Sequence, residues 1–161
     1  MTKELRDNSE KLKVKVERST GDRAKEIFGN FVTSLEKKYP NKAIFIERYD
    51  GDTAYTATVN NQIAGVLLGS DMQPERHFNG SFILVDEKYR RSDIGKSLID
   101  AAKSEFESFS LQAAAFALNL DRGDATSTRR RNRALIKYYQ RMGFELIDSY
   151  HNIMIWKKKY L

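Results

Sequence analysis

The sequence has no cysteine and only two prolines among its 161 residues. Without thiols it has no disulfide framework, no thiolate metal site and no cysteine nucleophile. Long hydrophobic runs are also missing: no stretch nears the roughly 20 apolar residues that a membrane span needs. The opening MTKELRDNSEK has no apolar segment of the signal-peptide kind. The expectation is a cytoplasmic protein with no membrane partner and no metal. Residues 1–10 are polar and expected to form a flexible tail, followed by a single domain over 11–161. A hydrophobic content of 40% suits one core. The formal charge of +6, from 28 basic against 22 acidic residues, favours anionic partners.

Hydrophobic periodicity supplies the elements. Leu12, Val14 and Val16 alternate with lysine and glutamate, which predicts a half-buried strand. Ser19-Thr20-Gly21-Asp22 offers turn and capping chemistry before a helix over 24–38 with Ile27, Phe28, Phe31, Val32 and Leu35 as its apolar stripe. Residues 43–49 read as a strand. TAYTATV, Asn60-Asn61 and IAGVLLG predict a hairpin, because asparagine tolerates the positive φ of a tight turn. A polar loop is expected over 71–80, and a short strand over 113–118. A helix over 130–142 closes on Gly143, and strands over 144–149 and 153–158 form a terminal hairpin.

The chain is organised around 81–102, SFILVDEKYRRSDIGKSLIDAA. Phe82, Ile83, Leu84 and Val85 form an unbroken apolar run, as a strand covered on both faces does. From Ile94 the period becomes helical, through Leu98, Ala102, Phe106 and Phe109. Arg90, Arg91 and Ser92 lie between strand and helix. Unpaired helix N–H groups, the helix dipole and two guanidinium groups therefore converge there, which predicts an anion site for a phosphate or pyrophosphate. Gly95-Lys96-Ser97 has the end of a P-loop, but that motif needs glycine where this chain has Arg90.

The segment Val85-Asp86-Glu87, followed by Arg90-Arg91-Ser92-Asp93-Ile94-Gly95, resembles the pyrophosphate-binding pattern [QR]-x-x-G-x-[GA] of the GNAT superfamily of N-acetyltransferases. One position departs, since Asp93 stands at the first glycine. Downstream, Asn132, Ala134, Tyr139, Gly143 and Phe144 in NRALIKYYQRMGF are similar to the later motif of that family. The resemblance implies an α/β GNAT fold, a mixed sheet of six to seven strands flanked by helices on both faces. It also implies acetyl-CoA as acyl donor, held between two strands that splay apart. Leu84, Val85 and Asp86 would then hold the pantetheine through their backbone, and Arg90, Arg91, Ser92, Asp93, Ile94, Gly95 and Lys96 the pyrophosphate. Asn132 would bond the cofactor, or simply cap its helix. Tyr139 would protonate the departing thiolate, with Tyr138 as the neighbouring alternative, or either would merely pack on the sheet.

Other assignments stay open. Asp86, Glu87, Glu75 and His77 are candidates for the base, His77 being most simply an exposed loop residue. An Asp93 side chain folded onto the first amides of its helix would compete with the donor. Arg129, Arg130, Arg131 and Arg133 could grip the 3′-phosphate of CoA, meet nucleic acid or an acidic acceptor, or form a solvated face. The function implied is direct acetyl transfer to a primary amine. The alternatives are a non-catalytic acyl-CoA-sensing or nucleic-acid-binding protein, and a transferase with another donor. A homodimer is compatible with either.

Overall fold

The computed structural model describes residues 13–38, 51–113 and 125–160. These form strands β1 (Val14–Thr20), β2 (Thr53–Val59), β3 (Gln62–Met72), β4 (His77–Val85), β5 (Ser108–Gln112), β6 (Glu145–Asp148) and β7 (Ile153–Lys157). Helix α1 (Gly21–Lys38) follows β1, α2 (Ile94–Glu105) follows β4 and α3 (Ala125–Arg141) precedes β6. The strands make one mixed seven-stranded sheet in the order β1-β2-β3-β4-β5-β7-β6. The mixed sheet with helices on both faces is the predicted architecture. The expected tail, the strand over 43–49 and most of that over 113–118 lie outside the described residues.

The hairpin forms as its asparagines predict. Asn60 and Asn61 hold φ of 52° and 63°, the paired positive values of a tight turn whose twist suits the strands it joins. On one face of the sheet α1 buries Ala24, Phe28, Phe31, Val32 and Leu35 with Ala54, Val66, Leu68 and Leu84. On the other face α2 buries Ile94, Leu98, Ile99 and Ala102 in a larger core. That core also takes Tyr55, Phe78, Phe109, Tyr139 and Phe144. Leu84 and Ile83, adjacent in β4, serve the two cores in turn because successive strand side chains point to opposite faces.

Three boundaries differ from the expectation. Helix α2 stops at Glu105, and Phe106 is extended at φ −119°, ψ 157°. Phe109 therefore belongs to β5, where period two over Ser108, Phe109, Ser110 and Leu111 coincides for one step with helical spacing. The polar loop over 71–80 shrinks to a turn at 73–76, because His77 and Asn79 are strand residues paired with Met72 and Ser70. Helix α3 begins at Ala125, before its apolar stripe starts.

One irregularity in β4 shapes everything downstream. Leu68 pairs with Phe82 but Gly69 with Gly80, so Ser81 is an extra residue, a bulge that bends the strand. At the same point β4 leaves β5. Their parallel pairing covers His77↔Ser108, Phe78↔Phe109 and Asn79↔Ser110, and β5 then continues along β7 alone. A cleft thus opens between β4 and β5 from Gly80 to Val85.

Candidate functional site

A cavity of ≈ 400 Å³ lies against the freed part of β4. Ile83 and Val85 of β4 form its floor, Ile94, Gly95 and Ile99 of α2 one wall, and Leu135, Tyr138 and Tyr139 of α3 the other. Tyr89, Arg90, Arg91 and Asp93 complete its mouth. An apolar trough thus runs up to the N-terminus of a helix flanked by guanidinium groups.

That terminus is open. The first N–H groups of any helix lack an intrahelical acceptor, and the Asp93 side chain makes no capping hydrogen bond to them. Of the two dispositions expected for Asp93, the one folded onto the helix amides is not taken, and the residue is exposed at the mouth. The cause is backbone geometry. Asp93 sits at φ 60°, ψ 21°, in the left-handed region, where glycine is at ease and aspartate is one of the better tolerated alternatives. Its backbone carbonyl still receives the Ser97 amide at 2.9 Å, so the helix starts in register. Arg91, at φ 69°, is left-handed too, and the chain coils tightly around the mouth.

For an anion held at this helix end, such as the diphosphate of the CoA that the sequence resemblance implies, replacing Asp93 by glycine is expected to tighten binding about fivefold, since it removes about 1 kcal/mol of charge repulsion without losing a cap. Stability should move by less than about 1 kcal/mol, because relief of the left-handed strain offsets the lost attraction to the helix dipole. Isothermal titration of the two proteins measures this. Unchanged affinity would place the anion elsewhere.

Helix α3 lends Leu135, Tyr138 and Tyr139 to the cavity, and Asn132 lies two turns before Tyr139 on the same helix. The Asn132 Oδ1 atom is buried with no hydrogen-bond partner among the described residues. Such an orphaned acceptor is costly unless a donor reaches it, and an amide N–H of a pantetheine arm is a donor of the right kind. Tyr139 is 2% exposed, edge-on to Phe144 and Tyr138 at centroid distances of 6.0 and 5.4 Å. Burial pushes the Tyr139 phenol well above its ordinary value, which keeps it protonated and able to donate. The Tyr138 phenol is raised as well, by burial and then by the Asp93 charge. Its hydroxyl comes 3.9 Å from where a Cβ on Gly95 would lie, close to the open helix end.

The arginines divide. Arg130 and Arg133 are exposed, whereas Arg131 is half-buried. Burial lowers the Arg131 guanidinium, with the Tyr139 phenol raising it and the Arg90 charge lowering it. The side chain of Arg129 lies outside the described ones.

Some expected residues point elsewhere. The Asp86 amide donates to Ala64 at 2.8 Å, and its buried carboxylate meets Lys38 Nζ at 3.0 Å on the α1 face. Leu84 turns its side chain to that face too. Lys96 pairs with Asp100 at 2.6 Å, one turn along α2. Glu75 is exposed in the turn at 73–76, and Glu87 opens the short 3₁₀ turn Glu87–Tyr89. His77 is not a loop residue: it begins β4, half-buried, with both ring nitrogens engaged. Sequence reasoning missed Ile99, Leu135, Tyr89 and Ile83 as cavity residues. The first two follow Gly95 and Arg131 by four positions, one helical turn, which was the available signal.

No curated protein matches the sequence. Among solved structures, the chain is similar to a candidate N-acetyltransferase from Lactobacillus plantarum, at 12% identity over 89% of this chain and 97% of that one, TM-score 0.59. It is also similar to a GNAT-family acetyltransferase from Staphylococcus aureus Mu50, at 18% identity over 91% and 100%, TM-score 0.54. A third is the candidate N-acetyl transferase YhhK from E. coli, bound to coenzyme A, at 14% identity over 91% and 100%, TM-score 0.54. At such identities these likenesses establish the fold. The model of the acetyltransferase (GNAT) domain matches residues 50–146, a stretch that carries the bulged β4, the open end of α2 and the tyrosines of α3. The chain therefore belongs to the GNAT family of N-acetyltransferases.

Proposed function

We propose that the cleft binds acetyl-CoA and that the chain transfers its acetyl group directly to a primary amine. One observation carries this reading: β4 parts from β5 beside an uncapped helix N-terminus flanked by Arg90 and Arg91, with an apolar cavity between. The diphosphate would lie on the N–H groups of Ile94, Gly95 and Lys96, where the helix dipole and both guanidinium groups favour negative charge. The strand edge from Ile83 to Val85 would face the pantetheine, with Asn132 as a further acceptor. Arg131 and Arg90 would meet the 3′-phosphate.

The chemistry asked of the protein is modest. The amine must reach the carbonyl unprotonated, and the departing sulfur is a better leaving group if it receives a proton. Tyr139 would supply that proton, since its phenol is held in the protonated form by burial. With no cysteine in the chain, no thiol can carry the acetyl group between donor and acceptor.

Saturation with acetyl-CoA at a hundred times its dissociation constant is expected to stabilise the protein by about 2.7 kcal/mol, a rise of several degrees in Tm. The shift should shrink with 3′-dephospho-CoA. In Tyr139→Phe the shift should persist while the transfer rate falls about 100-fold. A protein indifferent to millimolar acetyl-CoA would refute the donor assignment. An unchanged rate in Tyr139→Phe would move the acid elsewhere, with Tyr138 the next candidate.

A further inference from the structure

The strand junction where the cleft begins carries a polar cluster that the donor site does not use. Phe78 and Phe109 pair across β4 and β5 and point into the core with α2. Alternation then puts His77, Asn79, Ser108 and Ser110 on the opposite face. There His77 bridges the strands, with Nδ1 2.6 Å from Ser108 Oγ and Nε2 2.7 Å from Ser110 Oγ. Ser110 Oγ also lies 3.3 Å from Asn79 Oδ1. These are the last paired residues before the strands part.

Resting on the reading above, we propose that His77, acting through the Ser110 hydroxyl, is the proton acceptor for an amine that enters the gap between β4 and β5 from the face opposite the donor cavity. The distances favour one proton arrangement. Ser110 has two acceptors in reach, and the histidine nitrogen at 2.7 Å is better placed than the asparagine oxygen at 3.3 Å. The Ser110 hydroxyl therefore donates to Nε2, and the neutral ring carries its own proton on Nδ1, donated to Ser108. An ammonium group beside Ser110 gives a proton to its oxygen as the hydroxyl proton passes to Nε2. The freed nitrogen lone pair then forms the C–N bond to the acetyl carbon, and the C–S bond breaks. The sulfur leaves as a thiol once it takes a proton from Tyr139, which recovers one from the nitrogen of the new amide. The net products are the amide, the thiol and one proton, which the half-buried imidazolium returns to water.

The surroundings suit this role. Burial pushes the His77 imidazole below its ordinary value, with Glu75 pulling the other way, so the ring is neutral at pH 7. The other charges nearby are the Arg76–Glu107 pair and Lys157 opposite Ser108 on β7, whereas Asp71, paired with Phe78 and held by Arg18, lies on the α2 face. An imidazolium could donate to both serine oxygens without moving.

A purely structural staple and a proton acceptor differ in which amines they affect. With acetyl-CoA saturating, His77→Gln, whose amide can still bridge the serines, should lower kcat/KM for benzylamine about 100-fold at pH 7. Methoxyamine, already neutral at that pH, should react within about twofold of the parent rate, because it needs no base. The acid limb of the benzylamine pH profile should also move up toward the ionisation of the free amine. Ser110→Ala should show the same selectivity between the two amines, and the acetyl-CoA shift in Tm should survive in both variants. Equal losses with both amines, or no loss with either, would overturn the proposal and leave His77 a strand staple. A parent protein that binds acetyl-CoA but acetylates neither amine would overturn it too, whereas a missing Tm shift would instead refute the donor site.

Discussion

Gly95→Leu is expected to weaken acetyl-CoA binding by at least about 100-fold, about 2.8 kcal/mol, while the unliganded protein stays as stable as the parent or gains slightly. The two effects separate because of where Gly95 lies. A Cβ built there meets nothing closer than Ile83 Cδ1 at 3.8 Å and Tyr138 Oη and Val85 Cγ2 at 3.9 Å. These are ordinary contacts, so the fold accommodates the atom. Gly95 is also in the first turn of helix α2, where glycine costs at most the roughly 0.5–1 kcal/mol relative to alanine that it costs in a helix interior. Beyond Cβ, however, a leucine side chain has only the cavity to enter, against the N–H groups proposed to hold the diphosphate. Thermal unfolding with and without acetyl-CoA reads both quantities. An unliganded Tm that holds or rises, with the ligand shift gone, is the expected result. A retained shift would mean that the donor does not approach the start of α2, and the pyrophosphate assignment would have to be abandoned.

Phe78→Ala carries the largest expected loss of stability. Phe78 is fully buried, with ring centroids 4.9 Å from Phe109, 5.2 Å from Phe106 and 5.9 Å from Tyr55. It also fills the space beside Gly69, where a Cβ would lie 2.4 Å from its ring. Truncation of a phenylalanine so enclosed costs about 3–5 kcal/mol. For a domain of this size that is a fall of about 6–20 °C in Tm. The comparison is Ile147→Ala at a site 59% exposed, where a change within about 0.5 kcal/mol is expected. A Phe78→Ala protein within 2–3 °C of the parent would show that its neighbours collapse into the gap, and that the β4–β5 junction is softer than its packing implies.

Much of this was legible in the sequence, for reasons that are local. The Asn60-Asn61 turn was readable because only a few residue types tolerate positive φ. Helix α1 was readable because its stripe repeats over several turns, and the order of elements followed from such patterns. Boundaries were less legible where two periods coincide. Phe106 and Phe109 suit a helix as well as they suit the end of one helix and the strand after it. His77 and Asn79 looked like loop residues because a strand with one polar face and a single core phenylalanine shows too few alternations to register.

The site divides along the same line. The sequence by itself determined the family and singled out the basic turn from Arg90 to Gly95 and the tyrosine pair as candidates, because these depend on residue types at fixed short spacings. Only the tertiary structure decided which way Asp93 turns, since its carboxylate is directed by a left-handed backbone set by the whole turn. The same holds for Asp86, drawn to the far face by Lys38 from α1, 48 positions earlier in the chain. It holds above all for His77, 31 and 33 positions from the serines that engage it. Whether a side chain of that kind idles in water or bridges two strands depends on which distant segments pair beside it, and that pairing is a property of the sheet as a whole.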